Sequence, residues 1–227
     1  AHRTHPEITL QVHEDYIRAG AQVITANTFA TARHVLESIN LGDQFRVINE
    51  EAVQLALKAR DNAADDEVWI AGSISSMAPF NNEEEVAVGE SVESNYREIA
   101  EILAESGVDL LILEMMRETV NSILVIEAAL STGLPVWIGY SAMMADDGKN
   151  VITWRWKNVK SKPPTGDFEE LVKETINLGG DAAGIMHSQV MDTEPALEVM
   201  SRHWHGPKLV YAETGKLEKP DWNFKEI

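Results

Sequence analysis

The chain is 227 residues long and 44% apolar, with 19 Lys and Arg against 37 Asp and Glu, a formal net charge of −18 and no cysteine. That charge repels phosphate backbones and anionic membranes, which makes nucleic acid and membrane surfaces poor partners, and the missing thiols exclude disulfides, cysteine nucleophiles and thiolate metal sites. The length suits one α/β domain over 1–227; no apolar run reaches the ~18 residues of a membrane span and the N-terminus lacks a leader-like apolar segment, so a soluble, cytoplasmic protein is expected.

In chain order, the first element is a helix over 6–19, where Pro6 suits a first helical turn and Ile8, Val12, Tyr16 and Ile17 recur at helical spacing. A strand over 22–26 follows, then a helix over 45–63 with the stripe Val47, Ile48, Ala52, Val53, Leu55, Ala56 and Ala59, and a strand over 68–73. The polar, irregular segment 75–89 reads as an excursion at that strand's carboxyl end, where long loops usually serve a site. Next come a helix over 91–106, a strand over 108–113, a helix over 118–131 and a strand over 135–141. The segment 143–164 carries the turn signal Asp146-Asp147-Gly148 and the pair Trp154 and Trp156, candidates for a lid or pocket wall. A helix over 168–178, a strand over 182–186, a helix over 193–203 and a strand over 208–211 complete the pattern.

One local grammar recurs four times, at 19–29, 107–114, 133–141 and 180–188: a Gly that relieves strain at a helix end, an apolar strand, then polar side chains. Strands alternating with helices and ending in polar residues describe a TIM-type (β/α)8 barrel with its site at the carboxyl ends. The pattern starts on a helix and stops soon after a strand, so the barrel looks incomplete, with the first and last strands not evident. A doubly wound open sheet is the alternative, although no glycine-rich phosphate loop accompanies it. Open sheet edges make a homodimer plausible.

Sorting the polar residues by position leaves Asn27 and Thr28, Ser73 to Ser76, Glu114, Tyr140 and Ser141, His187 and Ser188, and Glu213 and Thr214 at strand carboxyl ends. Asn27 or Thr28 could equally cap the next helix, and Ser141 could fill a loop hydrogen bond. Glu114 is the sharper candidate, because a carboxylate that ends a buried run needs a cation, a donor or a proton. His187 ends a strand in the same way, as a metal ligand, a proton shuttle or a hydrogen-bonded core histidine. A zinc cluster of His187 with His203 and His205 is rejected, since the two ends of a five-residue strand stand roughly 15 Å apart.

These residues resemble the homocysteine S-methyltransferase family. The resemblance is carried by His5-Pro6-Glu7, Val12-His13-Glu14-Asp15-Tyr16, Ala19-Gly20-Ala21, Ala26-Asn27-Thr28-Phe29, Ala71-Gly72-Ser73-Ile74, and Gly107-Val108-Asp109-Leu110-Leu111 ending at Glu114. It implies an eight-stranded barrel that moves a methyl group from a sulfonium, ammonium or methyl-cobalamin donor to homocysteine, with zinc activating the acceptor sulfur. By position it implies that Glu114 holds the homocysteine amino group and that Asn27 and Thr28 form part of the floor of the same small-molecule pocket; Ser73 and Ser141 are candidate substrate contacts from their place at strand carboxyl ends. The chain departs from the family where a Gly-Ile-Asn-Cys ligand segment reads Gly184-Ile185-Met186-His187, and where a Pro-Asn-Ser-Gly-like turn reads Ala212-Glu213-Thr214-Gly215. The family's Gly-Gly-Cys-Cys turn has no counterpart before Ile227. The expected metal donors are therefore His187 and Glu213 alone, with His187 also a candidate base. A metal-free amino-acid-binding protein, or a barrel enzyme of diverged activity, is the alternative function.

Overall fold

The computed structural model describes residues 2–79, 91–154, 166–218 and 221–224. The segments around Glu85 and Trp156 lie outside the described residues, and with them most of the expected excursion after the second strand. The core element is a parallel six-stranded sheet that curls into part of a TIM barrel. Its strands are β1 (Val23–Thr25), β2 (Trp69–Ser75), β3 (Leu110–Met116), β4 (Val136–Tyr140), β7 (Ala182–Gln189) and β8 (Lys208–Glu213), in the order β1-β2-β3-β4-β7-β8. Strands adjacent in sequence are adjacent in space, apart from a short hairpin, β5 (Ala142–Met144) with β6 (Val151–Thr153), inserted after β4. A second antiparallel pair, β9 (Gly215–Glu218) and β10 (Asp221–Phe224), follows β8.

Helix α1 (Pro6–Arg18) precedes β1, and the parallel strands are connected by the short α2 (Arg33–Glu37), α3 (Phe45–Ala63), α4 (Val92–Glu105), α5 (Thr119–Leu130), α6 (Phe168–Thr175) and α7 (Val190–Ser201). Among the described residues no helix is long and apolar enough to cross a membrane. Their apolar stripes meet the outer face of the sheet in one large core, in which Ile48, Val53, Ile99, Leu103, Val125 and Phe168 pack on Ile70, Ile74, Leu111, Leu113, Ile138 and Ile185. Strand side chains alternate, so the residues between those form a separate inner cluster of Ala71, Leu110, Ile112 and Met186, joined by Val23, Trp137 and Leu209. Gly139 makes that inner cluster possible: a Cβ there would lie 1.9 Å from Met186 Cε. Gly184 does the same for strand pairing, since its Cβ would fall 1.7 Å from the Leu209 carbonyl oxygen.

At the amino ends of the strands, carboxylates tie neighbours together. Asp109 accepts from the Ile70 amide at 2.7 Å and from Arg60 at 2.9 Å, and Asp181 accepts from the Val136 amide at 2.9 Å. The recurring Gly and Asp before an apolar run thus serve the closed end of the sheet, leaving the carboxyl ends for polar side chains.

Several boundaries differ from the sequence expectation. Strands β2, β3 and β7 run two or three residues further, so that Ser75 and Glu114 are ladder partners and His187 lies within β7. Helix α7 starts at Val190 and not at residue 193: Thr193 is an interior helical residue whose hydroxyl donates back to the Gln189 carbonyl at 2.9 Å. Helix α5 is capped by Glu118, which accepts from the Val120 and Asn121 amides at 2.8 and 2.9 Å.

Candidate functional site at the carboxyl ends of the strands

Ser73 of β2 and Glu114 of β3 continue the inward-facing series Ala71 and Leu110, Ile112, so both emerge on the inner face just above the small apolar cluster. Glu114 is 6% exposed. Its Oε1 accepts from the Ser73 hydroxyl, and its Oε2 accepts from the Tyr211 hydroxyl and lies 2.8 Å from His187 Nε2. His187 Nδ1 lies 3.2 Å from Glu213 Oε1. The result is a carboxylate–imidazole–carboxylate chain across β3, β7 and β8.

The aim of these side chains comes from two irregularities in the sheet. Between β7 and β8 the register passes from Met186↔Tyr211 to Ser188↔Ala212, so His187 is one residue extra; between β3 and β4 it passes from Leu113↔Ile138 to Met116↔Tyr140, again with one extra residue. Met115 and His187, at these two irregularities, take positive backbone angles, φ 59° and 49°, uncommon for residues with side chains. Hydroxyls grip both bulges. Ser76 donates to the Met115 carbonyl at 2.6 Å, while Ser141 and Ser188 donate to the Met186 carbonyl at 2.9 and 3.0 Å. Ser188 also accepts from the Ala142 amide at 3.0 Å.

Charge follows from this geometry. Burial alone would push Glu114 upward, but hydrogen bonds from His187, Ser73 and Tyr211 outweigh it and hold the carboxyl below its ordinary range. Burial would likewise lower His187, yet Glu114 and Glu213 on either side raise it to about 9, so it is an imidazolium at neutral pH. Tyr211 is pushed upward by burial and by Glu114, and stays a neutral donor. Phe29 and Tyr211 flank the imidazolium, with ring centroids 5.3 and 5.5 Å away.

Of the residues singled out in the sequence, the structure brings together Ser73, Glu114, His187 and Glu213. Thr28 stands one bond behind, donating to the Ser73 carbonyl at 2.8 Å and accepting from the Ser73 amide at 3.0 Å. Ser141 supports the bulge below His187. Asn27 is exposed, its amide 3.5 Å from His2 Nδ1. Tyr140 faces the helices, its hydroxyl 2.8 Å from that of Thr175, and Thr214 is exposed. His203 pairs with Glu169 at 2.8 Å in the helical layer, apart from His187. The Arg117 guanidinium lies over Trp154, 5.5 Å from the ring. Sequence reasoning missed Tyr211 and Phe29. Tyr211 reads as one more apolar residue of a strand, although it stands two positions before Glu213 and so shares its face.

The family model for homocysteine S-methyltransferases matches residues 1–226. This chain belongs to the homocysteine S-methyltransferase family. Curated relatives include betaine–homocysteine S-methyltransferase 1 of Danio rerio, 29% identical over 139 residues, which are 58% of this chain and 32% of that protein. S-methylmethionine–homocysteine S-methyltransferase of Pongo abelii is 25% identical over 132 residues, 58% of this chain and 33% of that protein. The match to these relatives thus spans about a third of their length. Among solved structures, the homocysteine methyltransferase MmuM of Escherichia coli in its oxidized form superposes with a TM-score of 0.67 at 22% identity, covering 91% of this chain and 71% of that one. Its apo form gives 0.65 at 21% identity, covering 92% and 72%. These structural matches establish the shared barrel fold.

The resemblance implies zinc, and the donors present do not fit it. Both His187 nitrogens face carboxylate oxygens, which leaves no lone pair directed at a metal. The chain has no thiolate to complete a set, and among the described residues no group of three or more His, Cys, Asp or Glu could hold a metal ion.

Proposed function

We propose that this family member binds an α-amino acid bearing a thiol, homocysteine in the family's case, at the carboxyl ends of its strands and methylates its sulfur from a sulfonium or ammonium donor. The observation that supports this reading is Glu114: a buried, ionised carboxylate at the mouth of the sheet, held by donors that leave the cluster with two carboxylates against one imidazolium. A site one negative charge in excess suits an ammonium ligand, and an ammonium approaching Glu114 replaces the neutral Tyr211 hydrogen bond with an ion pair or takes the place of His187 as its cation. Ser73 fixes the carboxylate for that contact, and Thr28 fixes Ser73.

Transfer itself is a displacement. The sulfur lone pair forms the S–C bond, the bond from methyl to the donor breaks, and its electron pair returns to the donor sulfur or nitrogen. The protein's contribution is to hold acceptor and donor in line and keep the acceptor ionised. The test is calorimetric titration of homocysteine into the wild-type chain and Glu114→Gln, with methionine formation from betaine and from S-methylmethionine followed in parallel. Binding to the wild type that drops at least about tenfold in Glu114→Gln supports the reading, as expected for a lost charge-assisted contact. Equal affinities remove Glu114 from the site.

A further inference from the structure

We propose that this site works without a metal: the His187 imidazolium, pinned between Glu114 and Glu213, is the positive charge that faces the ligand sulfur and stabilises it as a thiolate. The inference rests on the amino-acid reading above and concerns how the acceptor is activated.

Geometry carries it. An imidazole with a carboxylate oxygen 2.8 Å from one nitrogen and another 3.2 Å from the other donates at both positions, and a ring that donates twice is a cation. Phe29 and Tyr211 present aromatic rings to the same imidazole, with centroids 5.3 and 5.5 Å away, and flank it on two sides. The ring is also held in place from below. It sits on the bulge of β7, whose Met186 carbonyl is gripped by Ser141 and Ser188. The charged groups facing it are Glu114 from β3 and Glu213 from β8, with the neutral Tyr211 hydroxyl 3.2 Å from Nε2.

Of the two counter-ions, Glu114 is the one an ammonium ligand would engage. When it does, His187 keeps Glu213 and its Nε2–H turns to the next anion in the site. For a thiol amino acid that anion is the sulfur. The S–H proton leaves to solvent, the imidazolium keeps its own proton throughout, and the thiolate lone pair then attacks the methyl carbon of the sulfonium or ammonium donor. Glu213 is in this scheme a positioning residue, keeping the ring charged and oriented from the far side.

The experiment uses the full chain, zinc analysis by mass spectrometry, and calorimetric titration of homocysteine and methionine at about pH 7.5 in buffers of different ionisation enthalpy. Methionine shares the ammonium and carboxylate but has no ionisable sulfur, so it reports binding without activation. Expected are substoichiometric zinc, homocysteine affinity changed less than about twofold by EDTA, and proton release for homocysteine alone. In His187→Gln, homocysteine affinity should fall about tenfold and proton release vanish, with methionine affinity within about twofold, a split that a purely structural role would not produce. Glu213→Gln should show a weaker form of the same split. Stoichiometric zinc whose removal abolishes homocysteine binding overturns the proposal, and so does an equal loss for both ligands in His187→Gln. Should neither amino acid bind the wild type, the proposed function falls, and zinc content together with the count of protonated nitrogens in the His187 15N spectrum still decides whether metal or imidazolium holds the site.

Discussion

Replacing His187 with glutamine should change how stability depends on pH, and the size of the effect follows from the two carboxylates beside the ring. His187 is raised from an ordinary 6.5 to about 9 in the folded chain. A group raised on folding contributes its full stabilisation below its unfolded value, and loses it as pH climbs through the folded one. At ~1.4 kcal/mol per unit, the loss between about pH 6.5 and pH 9 amounts to roughly 3 kcal/mol, a large part of a domain's stability. Glu114 works in the opposite sense: it is depressed on folding, so its contribution fades as pH falls below its ordinary 4.5. The two together place the most favourable window for this cluster between about pH 5 and 6.5. The assay is urea unfolding of wild type and His187→Gln at intervals from about pH 5.5 to 9.5. Taking the difference between the two curves cancels the buried histidines His2, His13 and His34, whose lowered values slope the other way. That difference should shrink by about 3 kcal/mol across the range. A difference curve that stays flat would refute the ion-pair chain as the resting state of the site.

Three further outcomes test the scaffold. Gly184→Ala forces a Cβ against the Leu209 carbonyl and should cost about 3 kcal/mol or more in urea unfolding, through loss of β7–β8 pairing; a cost below about 1 kcal/mol contradicts the close approach. Glu118→Ala removes the acceptor for two amides at the start of α5 and should lower stability by about 1 kcal/mol without touching ligand binding, and the chemical-denaturation midpoint checks it. Tyr211→Phe takes one donor from an ionised carboxylate and should cost roughly 1.5 kcal/mol, more than an exposed strand tyrosine normally would; an unchanged midpoint removes the Tyr211–Glu114 bond.

The parallel sheet was legible because its cues are local. A Gly that ends a helix, an apolar run such as Leu110 to Leu113 and a polar terminus each act within a few residues; α3 falls where those cues put it, and β3 contains the apolar run they mark. Glu114 was legible for a related reason, since an acid closing a buried run has few inexpensive explanations. The bulges were not. Nothing in the residue types around Met115 or His187 signals a left-handed backbone, because there the neighbouring strands and the serine hydroxyls impose it. Without the bulges the pairing of His187 with Glu114 could not be inferred, since strict alternation assigns His187 to the face opposite Met186. The same gap hid Tyr211: its partner lies 97 positions away in the chain. The hairpin of β5 and β6 escaped notice because its three-residue strands are too short to show a period.

The extra residue in β7 also changes what kind of edit the protein can absorb. In a ladder whose side chains alternate, parity is conserved along the strand, and His187 is where β7 breaks it. Deleting that one residue would restore unbroken pairing of β7 with β8 from Ala183 to Gln189 and leave the helical core on its own face, while erasing the chemistry above it. Insertion of a residue at the matching height of β4, where the ladder to β3 already tolerates a mismatch, would instead offer a further address for a functional side chain. The upper rim of this sheet is thus a place where one codon, gained or lost, can redirect a side chain to the opposite face while the framework beneath stays the same.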